Sequence, residues 1–120
     1  MSEPIKVLQV MGSLNRGGAE SMIMNLYRAI PSDQIHFDFI NHGTTEGAFS
    51  DEIEFRGGKI FSCPRYTGKN HIAYAKWWND FFMSHQQYRI VHSHVRSTAA
   101  IFIPKAKKHG IKTIIHSHST

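Results

Sequence analysis

Five short apolar runs divide the chain, and the stretches between them carry apolar residues at helical spacing. The first run, Ile5-Lys6-Val7-Leu8-Gln9-Val10-Met11, is too short to span a membrane and has the length of a buried strand. Beyond it, Met22, Ile23, Leu26, Tyr27 and Ile30 recur with the period of a helix, which Pro31-Ser32-Asp33-Gln34 stops. Ile35 to Ile40 is rich in aromatic and branched residues and reads as a second strand, followed by the polar loop Asn41-His42-Gly43-Thr44-Thr45. A shorter helix is predicted over 47–56, with Phe49, Ile53 and Phe55 facing inward and Gly57-Gly58 as its C-cap.

Lys59 to Cys63 gives a third strand, closed by Pro64. From His71 to Gln87 the residues Tyr74, Trp78, Phe81 and His85 line one face of a predicted helix, an aromatic stripe that reads as core packing. Ile90 to Val95 is the fourth strand. Ser97 and Thr98 are good N-caps for a helix running to His109 and Gly110, with Pro104 inside it predicted to kink or split it. Ile111 to Ser117 is the fifth strand. Strands and helices alternating at this spacing imply right-handed crossovers. The predicted fold is therefore α/β: a Rossmann-like, doubly wound parallel sheet in three αβα layers. Ligands of such sheets bind beyond the carboxyl ends of the strands, where the strand order reverses.

Composition adds a compartment and a charge. The 120 residues are one domain's worth, with 41% hydrophobic and 19% charged residues. The single Cys63, the lack of a long apolar run and the absence of a signal-peptide pattern at Met1-Ser2-Glu3 together predict a cytoplasmic, reducing location. The net charge of +5 is scattered from Lys6 to Lys112, with a cluster only at Lys105, Lys107 and Lys108. That argues against a nucleic-acid stripe and suits a phosphorylated ligand or work beside the inner face of an anionic membrane.

The candidate chemistry lies in two places. The first is the loop between strand one and helix one, Gly12-Ser13-Leu14-Asn15-Arg16-Gly17-Gly18-Ala19-Glu20. A glycine loop entering a helix lets backbone approach an anion. It is not the dinucleotide fingerprint, because its glycines fall at 12, 17 and 18, and Asp38 sits mid-strand between two phenylalanines rather than at the strand end. Neither is it a triphosphatase loop, because Gly18-Ala19 stands where lysine and a hydroxyl are required. No nicotinamide, flavin or triphosphate chemistry is predicted. What remains is Gly17-Gly18 against a phosphate or sugar, Arg16 as a phosphate partner and Glu20 in the first helical turn.

The second place is a pair of His-Ser-His segments, His92-Ser93-His94 and His116-Ser117-His118, one strand-helix unit apart. Residues i and i+2 of a strand share a face, so each segment presents two imidazoles together. Three readings compete: zinc ligation by all four histidines, as in a hydrolase; polar ligand contacts or proton handling; and burial with hydrogen bonds. The preferred assignment is burial for His92 and His116, and ligand contact for His94 and His118, with no metal.

The ordered set of these features resembles the N-terminal domain of family 4 glycosyltransferases, retaining enzymes of the GT-B fold common in bacterial capsule and exopolysaccharide synthesis. The resemblance covers nearly the whole chain. It rests on Lys6-Val7-Leu8-Gln9-Val10 with Gly17-Gly18-Ala19-Glu20, on Gly47-Ala48-Phe49 leading to Gly57-Gly58-Lys59-Ile60, and on Ile90-Val91-His92-Ser93-His94. Ala106-Lys107-Lys108-His109-Gly110-Ile111 and Ile115-His116-Ser117-His118-Ser119 complete it. It implies two Rossmann-like domains across a cleft, the N-terminal one holding the acceptor and the C-terminal one most of a nucleotide-sugar donor. It implies that Gly17-Gly18 lies near the donor pyrophosphate, that His118 lies near the transferring sugar, and that no metal or other cofactor is needed. The acceptor would be a glycan or a lipid-linked species, with peripheral membrane association in the latter case. Members of two such domains run to about 350–400 residues, so the chain is expected to be a truncated acceptor-side domain without the donor-binding domain, inactive alone. The alternatives are a metal-dependent hydrolase using the His-Ser-His ligands and a non-catalytic nucleotide-binding α/β module.

Overall fold

The structure is a computed structural model and describes residues 3–12, 18–43 and 47–116. Five strands, β1 (Ile5–Met11), β2 (Ile35–His42), β3 (Ile60–Cys63), β4 (Ile90–Ser93) and β5 (Lys112–Ile115), form one sheet in the order β3-β2-β1-β4-β5. Every neighbouring pair is parallel. The connecting helices are α1 (Gly18–Ala29), α2 (Ser50–Phe55), α3 (His71–Ser84) and α4 (Ala99–Lys108). The α/β Rossmann-like fold read from the sequence is therefore the fold observed.

The two sheet faces have separate cores, and β1 feeds both. Leu8 and Val10 point into a cluster with Val91, with Tyr74, Trp78 and Phe82 of α3 and with Phe102 and Ala106 of α4. Val7 and Met11 point the other way, into a cluster with Ile23, Met24 and Tyr27 of α1, Phe37 and Phe39 of β2 and Ile53 of α2. This is strand alternation acting on a sheet covered on both sides. The aromatic stripe of α3 is core, as its spacing implied: Trp78 stacks on Phe102 at a ring separation of 4.4 Å and so ties α3 to α4.

Several local expectations are corrected. The inward face of α1 is Ile23, Met24 and Tyr27, while Met22 and Leu26 are exposed. Phe55 is 91% exposed rather than inward. Helix α2 begins only at Ser50, and with Ile53 fully buried, a residue two positions on lies about 200° around the helix. Pro104 does not split α4, which runs unbroken from Ala99 to Lys108. The carbonyl that Pro104 deprives of its helical partner is that of Ala100, an exposed residue. Thr98 does occupy the N-cap of α4, but its hydroxyl makes no capping bond and lies 2.8 Å from the buried Tyr74 hydroxyl.

Helix ends and inter-helix contacts fix the connections. Arg28 of α1 donates from Nε and Nη2 to Glu52 of α2 at 2.7 and 2.6 Å, and Arg56 adds a third bond at 2.9 Å. The Arg28 bonds lead in holding the Glu52 carboxyl down to about 2. After α2, the Gly57 N–H bonds to the Glu54 carbonyl at 3.0 Å and the Gly58 N–H to the Ile53 carbonyl at 2.8 Å, a Schellman ending with Gly57 at φ 85°. Gly58 lies so close to Ile53 and Phe37 that a Cβ would stand 2.8 Å from Ile53 Cγ2 and 3.1 Å from two backbone carbonyl oxygens. Gly58→Ala is expected to destabilise the domain by about 2 kcal/mol, against about 1 kcal/mol for Gly57→Ala, where space is open and only the positive φ resists. Urea denaturation of the two variants checks this, and the order of the two costs is the diagnostic result.

Candidate functional site

The strand order turns back between β1 and β4, which opens a crevice at their carboxyl ends. Candidate residues from both sides of that reversal meet there. Gly12 follows β1, and Gly18 opens α1. Gly18 is exposed, outside the left-handed region, and a Cβ there would meet nothing within 4 Å. Among the described residues, packing therefore does not require glycine at 18. Glu20 follows in the first turn of α1, half-buried. Arg16, Gly17 and His118 lie outside the described residues.

The two His-Ser-His segments flank the same edge. β4 ends at Ser93 and β5 at Ile115, so His94 and His116 stand just past their strands. The ladder nonetheless continues through the backbone. The His94 N–H donates to the Val10 carbonyl at 2.9 Å, and the His116 N–H donates to the Ser93 carbonyl at 2.8 Å. Gln9 is opposite His92, and His92 is opposite Ile114, so Gln9, His92, His94 and His116 all face the same side. The His92 and His94 rings are 4.2 Å apart, and His116 lies 5.6 Å from the first and 5.8 Å from the second. All three imidazoles are half-buried, which corrects the expectation that His92 and His116 are fully buried. Packing explains it, because among the described residues the core on this face is built on α1 and α2, over β1, β2 and β3.

Beside this group is a cleft of about 370 Å³ lined by Gly12, His42, Arg65, Tyr66, Val95, Ser97 and Thr98. His42 is its buried anchor. Its Nδ1 is 2.9 Å from the Met11 carbonyl and its Nε2 is 2.8 Å from the Tyr74 hydroxyl. A carbonyl only accepts, so Nδ1 carries the proton, and Nε2 pairs with the Tyr74 hydroxyl. Burial pushes the His42 pKa below its ordinary value of 6.5, with the Arg65 charge acting the same way and the Met11 bond opposing. Arg65 packs over Gly43, whose φ is 102° and where a Cβ would stand 2.8 Å from the guanidinium Nε. The cleft thus carries a permanent cation, hydroxyls from Ser97 and Thr98, and a polar floor fixed by hydrogen bonds.

Two other candidates are structural. Asp38 is 2% exposed and accepts from the Lys59 N–H at 2.8 Å and the Tyr88 hydroxyl at 2.6 Å, with His36 Nε2 at 3.0 Å. It fastens β3 and the segment before β4 to β2 and offers nothing to a ribose. Burial, followed by the Asp38 bond, pushes the Tyr88 hydroxyl up. Burial likewise pushes the Cys63 thiol up to about 12, so it stays protonated and is no nucleophile. Among the described residues, no helix is long and apolar enough to cross a membrane.

Four contributors were not singled out from the sequence: Gln9, His42, Arg65 and Thr98 as a site group. Gln9 carried a signal, as an uncharged polar residue inside the first apolar run. It is 1% exposed, and its Oε1 is 2.9 Å from His94 Nε2. His42 carried a weaker signal, a polar residue ending a strand at the ligand-binding edge.

The sequence matches Glycosyltransferase Family 4 over residues 16–120. It is 30% identical over 116 residues to a protein of Bacillus subtilis (strain 168) described as "Putative glycosyltransferase EpsF". The alignment covers 96% of this chain and 30% of that protein, so the chain spans less than a third of its relative's length. No solved structure matches the chain.

The depressed His42 pKa has a definite sign. The folded domain binds fewer protons at this site than the unfolded chain does, so the His42 contribution to stability is complete above about pH 6.5 and falls as pH drops towards the folded value. His42→Gln is expected to cost about 1–3 kcal/mol at pH 8 and to flatten the loss of stability as pH falls below about 6.5. Urea titrations at a series of pH values on both proteins check this.

Proposed function

Because the chain belongs to Glycosyltransferase Family 4, we propose that it forms the acceptor-side domain of an enzyme that moves a sugar from a nucleotide-sugar donor to a glycan or lipid-linked acceptor. In this reading the anomeric configuration is retained, and the donor-holding domain lies outside these 120 residues. The observation that carries the site assignment is the reversal of strand order between β1 and β4. A reversal of this kind favours a shared crevice for residues that follow β1 and residues that follow β4, Gly18 and His94 among them in this reading.

The roles follow from the residue types. Gly17 and Gly18 let a phosphate come close to the backbone, and the first N–H groups of α1 point towards it. Arg16 pairs with the diphosphate, and charge building on the departing nucleotide diphosphate is stabilised by these fixed donors. Glu20 offers a carboxylate to sugar hydroxyls. His118 hydrogen-bonds the reacting sugar. The cleft of His42, Arg65, Ser97 and Thr98 supplies a cation and hydroxyls for the acceptor, which suits a phosphate-bearing lipid carrier. The net charge of +5 favours a position against an anionic membrane surface, where such carriers reside.

Gly18→Val in the complete enzyme tests the loop. The added side chain has room among the described residues, so the circular dichroism spectrum and melting temperature should stay unchanged. Sugar transfer, read as nucleoside diphosphate release from a panel of UDP- and GDP-sugars, should fall by about 100-fold or more. Undiminished release would overturn the assignment of the glycine loop. These 120 residues alone should release no nucleoside diphosphate in the same assay. Turnover by them would overturn the proposal that the donor is held elsewhere.

A further inference from the structure

We propose that His92, His94 and His116 form a three-imidazole site for a divalent transition-metal ion of the zinc class. The inference rests on the placement of the imidazoles, not on sugar transfer. Each histidine offers one ring nitrogen, and these three nitrogens all lie within 4.8 Å of one another. Two elements deliver them. His92 and His94 share a face of β4 and its extension, and His116 comes from the adjacent end of β5, held in register by its N–H bond to the Ser93 carbonyl. In tetrahedral coordination at about 2.0–2.1 Å, ligand nitrogens stand about 3.3 Å apart.

The surroundings match what an imidazole ligand requires. Metal-bound histidines hold the other ring nitrogen on an oxygen acceptor that fixes the tautomer. Gln9, buried in the middle of β1, places its Oε1 2.9 Å from His94 Nε2. That bond puts the His94 proton on Nε2 and so fixes the tautomer of the ring. It also gives a reason for a buried amide in a strand whose other buried residues are apolar.

The ligand set selects the ion. Three neutral imidazoles without a carboxylate favour zinc and its neighbours over magnesium or calcium, which need oxygen ligands. Three protein ligands fill three of four tetrahedral positions. With no anionic ligand in the group, the fourth position prefers an anion, such as hydroxide or a phosphate oxygen.

The test is equilibrium dialysis of the purified chain against zinc chloride, with bound metal counted by mass spectrometry, alongside cobalt(II) loading followed by visible absorption. The expected result is one zinc per chain, undisturbed by excess magnesium, and the intense visible bands of tetrahedral cobalt. His92→Gln, His94→Gln and His116→Gln should each weaken zinc binding by about 100-fold, and Gln9→Ala by about 10-fold. His109→Gln, at an exposed position on the far end of α4, should leave it unchanged. Failure to bind stoichiometric zinc overturns the proposal, as does an octahedral cobalt spectrum. Zinc that survives His116→Gln but is lost in His109→Gln also overturns it, by locating the metal elsewhere. The cobalt spectrum is read on the unaltered chain, so the result does not depend on any variant folding. No outcome of this experiment bears on the Gly18→Val assay.

Discussion

The burial of β1 on both faces is the constraint on which the rest of this structure depends. Its residues from Val7 to Met11 have almost no solvent exposure, so each must find a partner layer. Leu8 and Val10 are satisfied by α3 and α4, and Val7 and Met11 by α1 and α2. A central parallel strand can be covered on both sides only if the crossovers run first one way and then the other. That reversal separates β2 and β3 from β4 and β5 and opens the crevice beside β1. The core requirement and the site are one consequence of the same packing problem.

Gln9 joins the two physically. A buried amide in a parallel sheet needs hydrogen bonds that the ladder does not supply. Here it reaches past the sheet edge to His94, so a core residue sets the orientation of a site residue. His42 works similarly on the neighbouring strand, tied to the Met11 carbonyl at the end of β1 and to Tyr74 in the α3 layer. The polar edge of the sheet is thus referenced to the core through these hydrogen bonds.

Much of the fold was legible because periodicity is a local property. The five strands and four helices appear where the apolar spacing places them, and Gly57 and Gly110 end their helices with the positive φ that glycine allows. Boundaries were less legible. The outward position of Phe55 was hidden because a six-residue helix shows too little of its period to fix its phase. The tolerance of Pro104 was hidden because the cost of a missing hydrogen bond depends on whether water reaches the orphan carbonyl. The candidate site was half legible. Gly18, Glu20 and His94 were identifiable by residue type and by position at strand ends. Arg65 and Thr98 reach the site from separate loops, and no spacing rule links them to it.

By itself, the sequence determined the alternation of strands and helices, the parallel sheet and the mismatch with two standard phosphate loops. Each of these depends on residues close together along the chain. Only the tertiary structure decided what Asp38 fastens, the Lys59 backbone and the Tyr88 hydroxyl. It also decided that three of the histidines converge while His42 belongs to a separate cleft, and that Gly18 is free of packing demands among the described residues. Those facts depend on contacts between residues far apart along the chain. Such contacts exist only after β1 has been enclosed, and no local pattern encodes them.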